Sequence, residues 1–180
     1  MTVYDEIDAL FNERGSEAYF GESVSMTEHA LQAAHLGQLA SAPPPLIVAA
    51  LLHDIGHLIE LVPSDIADWT EDAHHEQLGA RWLSQRFPPE VSEPVRLHVA
   101  AKRFLLATDP EYFARLSSAS VITLSLQGGP MGTPEVTTFA TEPFYPDAVR
   151  LRRWDDAGKV AGLKTSTLRD YRRLIEQVMQ

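Results

Sequence analysis

A chain of 180 residues, 44% of them hydrophobic, can build one sizeable core, and no shift in composition divides it, so a single domain over residues 1–180 is expected. Its formal net charge of -10 argues against nucleic acid, whose non-specific affinity rests on basic surfaces, but leaves room for a small anionic substrate held by a few local cations. The absence of cysteine excludes disulfides, thiolate metal sites, iron–sulfur clusters and a cysteine nucleophile, and is compatible with the expected cytoplasmic location.

The N-terminus, MTVYDEIDALF, has no basic segment before an apolar one, so no secretory leader is expected. Ile7, Leu10 and Phe11 predict a short amphipathic helix over Val3 to Asn12, with a structural role. Gly15 to Ser25 carries two glycines around Tyr19, Phe20 and Glu22 and reads as a loop, one whose phenol and carboxylate would be able to close over a site. Ser25-Met-Thr-Glu28 has the reciprocal pattern of a capping box. The helix it opens runs to about Ser41, where Pro43 to Pro45 stop it. His29 falls in the first turns of that helix, which are expected to be exposed.

The next stretch is apolar nearly all round. Starting just after Pro45, Leu46 to Leu52 predict a central, buried helix; as the longest apolar run it is too short to cross a bilayer, and no membrane partner is expected. It leads into AALLHDIGHL, where His53 and His57 share a helical face and Asp54 is turned by about 100° from His53. Gly56 permits close approach of another helix or of a ligand, at some cost in helix stability. Pro63 and Ser64 end this region, and after an acidic connection with Trp69 a third helix is predicted from about Asp72. Its inward face carries His75, Leu78, Gly79 and Trp82, which favours His75 over His74. A fourth helix, from about Pro89 to Ala107, has Val91, Val95, His98 and Lys102 along one stripe; buried ionisable groups need partners, so this stripe points to a polar site.

Asp109-Pro110 begins a further helical region through Leu116, and VITLSLQGG is read as helical up to Gly128-Gly129-Pro130. Residues 128–141, rich in Thr and Gly, are expected to form a covering loop. Helix returns over Glu142 to Lys159, with Ala148, Arg152, Asp155 and Lys159 aligned, and a terminal helix is predicted for Thr165 to Met179.

Separate helices thus each offer a metal-capable group: His29, His53 with Asp54, His75, His98 and Asp155. Six such residues exceed the needs of a four-coordinate structural zinc and suit two ions bridged by Asp54. Imidazole and carboxylate ligands fit Fe, Mn, Zn or Mg alike.

The H…HD…H…H…D series, centred on ALLHDIGH and closed by RRWDDAGK at Arg152 to Lys159, resembles the HD-domain superfamily over most of the chain. YFGE at Tyr19 to Glu22, His29 and LQGG at Leu126 to Gly129 further resemble its mixed-valent di-iron oxygenase branch, and within it the dioxygenases that cleave the C–P bond of 1-hydroxyphosphonates. The resemblance implies an all-α HD-domain bundle with the metal site between central helices. It implies an Fe(II)/Fe(III) pair, one iron held by His29, His53, Asp54 and Asp155, the other by Asp54, His75 and His98. It also implies dioxygen as co-substrate and a small phosphonate as substrate, releasing phosphate, and glycine if the substrate is 2-amino-1-hydroxyethylphosphonate. Tyr19 and Glu22, in a substrate-gating loop over residues 15–25, then act as the gate, with Glu22 pairing a cationic amino group. His57, Lys102 and Arg152 hold the phosphonate, supported by Ser120 and Gln127. No obligate protein partner is expected. The competing readings are an HD-type phosphohydrolase acting on a small phosphate ester or nucleotide, an inositol-type oxygenase, and a non-catalytic helical interaction protein.

Overall fold

A computed structural model describes residues 1–60 and 74–179. The predicted stop at Pro63 and Ser64, the connection with Trp69 and a helix start at Asp72 lie outside the described residues. Among the described residues the chain forms ten α-helices and no strand.

The apolar run behaves as its composition dictates. Helix α3 (Pro44–Leu52) starts on Pro44 and Pro45, whose fixed φ and missing N–H cost little in a first turn. Every residue from Leu46 to Leu52 is at most 8% exposed. Burying each of its leucines and isoleucines is worth about 1.5–3 kcal/mol, which makes α3 the axis of the molecule. Helix α2 (Met26–Leu39) packs on one side of it, α6 (Pro89–Thr108) and α9 (Tyr145–Ala157) on others, and α10 (Arg172–Val178) near its start. Helix α1 (Val3–Arg14) buries Tyr4, Ile7 and Phe11 against the same core.

The helix that carries His53 does not run through to His57. It ends at Leu52; Asp54 has φ -101° and ψ 14°, and a separate short helix α4 (Ile55–Ile59) follows. Helix α5 (His75–Ser84) then packs on α4 and α6. The contact of α4 with α5 is backbone against backbone: a Cβ on Gly56 would fall 2.1 Å from His75 O, and one on Gly79 3.3 Å from Gly56 N. Gly56 therefore serves the close approach that its position suggested.

Elsewhere the boundaries shift for local reasons. Residues 128–141, expected as a covering loop, contain helix α8 (Thr133–Phe139): Glu135 accepts the Gly132 N–H, and Phe139 packs with Leu97 and Ala101 of α6. The stretch after Asp109 condenses to one 3-10 turn, Phe113–Arg115, because Leu116 is extended and Ser117 caps α7 (Ser118–Leu126). The expected terminal helix starts only at a 3-10 turn, Leu168–Tyr171, fixed by the Thr167 and Asp170 hydrogen bonds, before α10. Helix α9 begins at Tyr145 and stops at Gly158. Helix α2 ends at Leu39, two residues before Ser41, which has φ 51°.

Candidate metal centre

Asp54 sits in the break between α3 and α4, and its two oxygens face different ways. Oδ2 lies 3.3 Å from His53 Nε2 and 3.6 Å from His29 Nε2. Oδ1 lies 3.3 Å from His75 Nε2 and 3.6 Å from His98 Nε2. Had the helix continued, the carboxylate would project from a cylinder wall; the break swings it between two histidine pairs. Two buried triads result, His29/His53/Asp54 and Asp54/His75/His98, with the donor atoms of each within 4.8 Å of one another.

Each elements' contribution follows from its packing. His29, expected near the surface, is fully buried, because Gly158 at the end of α9 lets that chain press onto α2 and its carbonyl accepts from His29 Nδ1 at 3.0 Å. His75 is buried while the adjacent His74, left-handed at φ 47°, leaves its side chain 62% exposed. The stripe on α6 faces inward as its spacing predicted, with Val91, Val95, His98 and Lys102 all at most 1% exposed. Asp155 Oδ1 lies 3.3 Å from His29 Nε2 and 3.8 Å from His53 Nε2, whereas Asp156 pairs with Arg152 and accepts from Tyr112.

The donor set fits cations. His29 Nδ1, His53 Nδ1 and His98 Nδ1 each face a carbonyl oxygen, of Gly158, Ala50 (2.9 Å) and Val95 (2.7 Å). A carbonyl only accepts, so each Nδ1 carries the proton, and Nε2 presents a lone pair to the site in a neutral ring. Yet His29 Nε2 and His53 Nε2 stand 3.0 Å apart, and His75 Nε2 and His98 Nε2 3.2 Å apart. Between His29 and His53, both protonated at Nδ1, that distance calls for a proton or a cation between the two lone pairs. Burial alone would lower His53, but Asp54 and then Asp155 carry it up to about 10, so a proton meets the demand in one place. Burial, reinforced by His75, pushes His98 down to about 3, and its imidazole is neutral, the form that binds metal. Burial opposes the charge of Asp54, but the charge of His53 beside it holds its carboxyl well below the usual range. Asp155 Oδ1 is buried without a hydrogen bond. Carbonyl-fixed imidazoles around carboxylates are the arrangement in which metal ligands are oriented by their outer partners.

A small cavity of about 50 Å³ opens beside Asp54, lined by Tyr19, His57, Lys102, Ser120, Gln127, Arg152 and Lys159 among others. Tyr19 fills its metal side: the hydroxyl donates to Asp54 Oδ2 at 2.7 Å and the ring stacks on His29 with centroids 3.9 Å apart. Burial, then the charge of Asp54, raises Tyr19 well above the ordinary phenol range, so it stays protonated. His57 stacks on His75 and meets the edge of Phe20; burial and then His75 hold it well below its usual value, and it is neutral. Lys102 Nζ donates to Thr123 Oγ1 at 2.8 Å and Gln127 Oε1 at 2.7 Å. Arg152 Nη1 lies 2.7 Å from Asp155 Oδ2, its Nε 3.2 Å from Tyr112 Oη, and its Nη2 3.5 Å from Ser120 Oγ. Glu22 Oε1 lies 3.7 Å from the ammonium of Lys159, which lines the cavity.

Thr123 and Lys159 also line the cavity, and Tyr112 accepts from Arg152; the sequence assigned none of the three a place there. Thr123 follows Ser120 at helical spacing on α7 and was open to discovery; Tyr112 and Lys159 reach the site through contacts 40 or so positions distant in sequence.

A family model described as HD domain matches residues 26–125. The chain is 43% identical over 177 residues, 98% of its length and 90% of the relative's, to a [1-hydroxy-2-(trimethylamino)ethyl]phosphonate dioxygenase (glycine-betaine-forming) of Leisingera caerulea. It is 44% identical over 182 residues, 99% of its length and 90% of the relative's, to a hydroxymethylphosphonate dioxygenase of Gimesia maris. An uncharacterized protein of Acanthamoeba polyphaga mimivirus is 34% identical over 92% of this chain and 77% of that one.

Proposed function

The chain belongs to the HD-domain family, and on that premise we propose that it is a di-iron dioxygenase that cleaves the C–P bond of a small 1-hydroxyphosphonate and releases inorganic phosphate. The observation that carries this reading is the pair of buried triads sharing Asp54, next to a cavity lined by cations. The near full-length likeness to two phosphonate dioxygenases supports it. Atoms balance with one dioxygen per C–P bond: hydroxymethylphosphonate and dioxygen give formate and phosphate.

In this reading His29, His53, Asp54 and Asp155 hold one iron, and Asp54, His75 and His98 the other. Two irons, when bound, supply the redox capacity and the open positions that dioxygen chemistry requires. The protein's own residues do the rest. Lys102 gives a charge-assisted hydrogen bond to the phosphonate in exchange for its bonds to Thr123 and Gln127. Arg152 reinforces that side of the pocket through its Nη2 while keeping Asp155 in place. His57, neutral, serves as a hydrogen-bond partner rather than a fixed charge. Tyr19 leaves Asp54 as substrate enters, and residues 15–25 close behind it, excluding water from the reacting carbon. Glu22 faces the substituent on that carbon.

Protein prepared anaerobically with iron tests the reading. It calls for iron near two per chain, a mixed-valent signal in Mössbauer or EPR spectra, and oxygen-dependent phosphate release from a 1-hydroxyphosphonate at one dioxygen per phosphate. Oxygen-independent hydrolysis of a phosphate ester, with no di-iron signal, would overturn it in favour of a phosphohydrolase.

A further inference from the structure

Lys159 lines the cavity together with Lys102, His57 and Arg152, and Glu22, from residues 15–25, pairs with it. Lys159 follows Gly158 at the close of α9, and its side chain is only 10% exposed. Its ammonium is 3.2 Å from Ser120 Oγ, 3.4 Å from Ser117 Oγ and 3.7 Å from Glu22 Oε1, and it lies 5.7 Å from the Tyr19 ring centroid. Glu22 Oε1 is buried and accepts no hydrogen bond. The carboxylate is thus turned to a cation that balances its charge without saturating it.

We propose that Lys159 is a specificity-determining residue: as the resident counter-ion of Glu22 it disfavours substrates with a cationic substituent and favours 1-hydroxyphosphonates whose substituent is small and uncharged. The inference rests on the reading above and deepens it. A quaternary or primary ammonium reaching Glu22 must either displace Lys159 or sit beside a like charge, and in so confined a site both options weaken binding. An uncharged substituent leaves the Lys159–Glu22 pair intact. The pair also ties residues 15–25 to α9, because the same ammonium contacts the face of Tyr19 and the carboxylate of Glu22.

The test compares wild type, Lys159→Met, Glu22→Gln and the double variant on hydroxymethylphosphonate and [1-hydroxy-2-(trimethylamino)ethyl]phosphonate. It reads kcat/KM of the iron-loaded protein and, independently, Kd by calorimetry under argon. Lys159→Met is expected to shift the ratio of the two substrates about fivefold toward the trimethylamino compound, the scale of one partly exposed ion pair. In the Glu22→Gln background the same change should move that ratio less, because it relieves only the like-charge repulsion and frees no carboxylate. A ratio unmoved by Lys159→Met, or moved equally in both backgrounds, overturns the proposal; uniform weakening of both substrates would mean that Lys159 grips the phosphonate instead. Lys159→Arg, which retains the charge, should preserve the wild-type preference and separates lost charge from lost packing. Wild type that binds neither phosphonate overturns the reading of function itself, whereas binding with an unmoved ratio overturns only the role of Lys159.

Discussion

Arg152 Nη1 lies 2.7 Å from Asp155 Oδ2, and that ion pair leaves Asp155 Oδ1 as the oxygen facing His29. Both partners are buried, and Arg152 also donates to Asp156. The guanidinium therefore orients a carboxylate that would otherwise rotate or take up a proton. Because removing one partner of a buried pair costs about 3–5 kcal/mol, Arg152→Met should lower the urea midpoint markedly and reduce bound metal, as well as weaken substrate binding. Full metal content with only a raised KM would show that Arg152 acts on substrate alone.

The contact of α4 with α5 makes a sharper prediction. A methyl on Gly56 meets a backbone carbonyl at 2.1 Å, so α5 must retreat and take His75 with it. Gly56→Ala should pull His75 out of the triad with Asp54 and His98 and lower total metal content well below that of the wild type, and should destabilise the fold by about 1–3 kcal/mol. Gly132→Ala, whose methyl would meet only side-chain atoms at 3.8 Å, is the matched control and should keep both ions.

Lys102 sets a pH dependence. Burial, then the charge of Arg152, lowers it from 10.5 to about 7. Free protein therefore loses this charge as pH rises through about 7, while a bound phosphonate calls for it, so kcat/KM should fall about tenfold per unit above pH 8. Lys102→Arg carries a permanent charge and should flatten that limb, at some cost from the different shape. The sign for stability is opposite: between about 7 and 10.5 the unfolded chain holds a proton on Lys102 that the folded chain lacks, so this group's contribution to stability rises with pH across that window. A wild-type activity profile level from pH 7 to 9 would contradict the assignment.

Metal removal offers a fourth test. The histidine nitrogens of each triad face one another, 3.0 Å apart in one and 3.2 Å in the other. Binding to the folded chain alone adds about 4 kcal/mol at a thousandfold excess over Kd, so chelation should lower Tm by several degrees and added metal should restore it. Identical melting curves with and without chelator would argue that these nitrogens bind no ion.

The parts of this structure that were legible beforehand are those where one helix settles the matter. Val91, Val95, His98 and Lys102 declared an inward face because 3.6-residue periodicity is local information, and Pro43 to Pro45 declared a boundary. His29 stands in the triad as its place in the ligand series implied, but its burial was hidden, because a capping box reads as surface and the groups that cover the ring, Gly158 and Tyr19, come from outside its helix. Helix α8 was hidden by threonines; its helical form draws on the Glu135 cap and on Phe139 packing against α6. Lys159 was legible in line with Arg152 and Asp155, but its pairing with Glu22 and the contact of Tyr112 with Arg152 were not, because those neighbours come from distant parts of the chain.

The break at Asp54 carries a consequence for how the protein is assembled with its ions. One carboxylate faces both histidine pairs, so an ion taken by one pair would fix the side chain for the other, and the two halves of the centre would fill together. A titration with iron should therefore rise steeply, with little half-filled protein at any point, and damage to either half should drain the other.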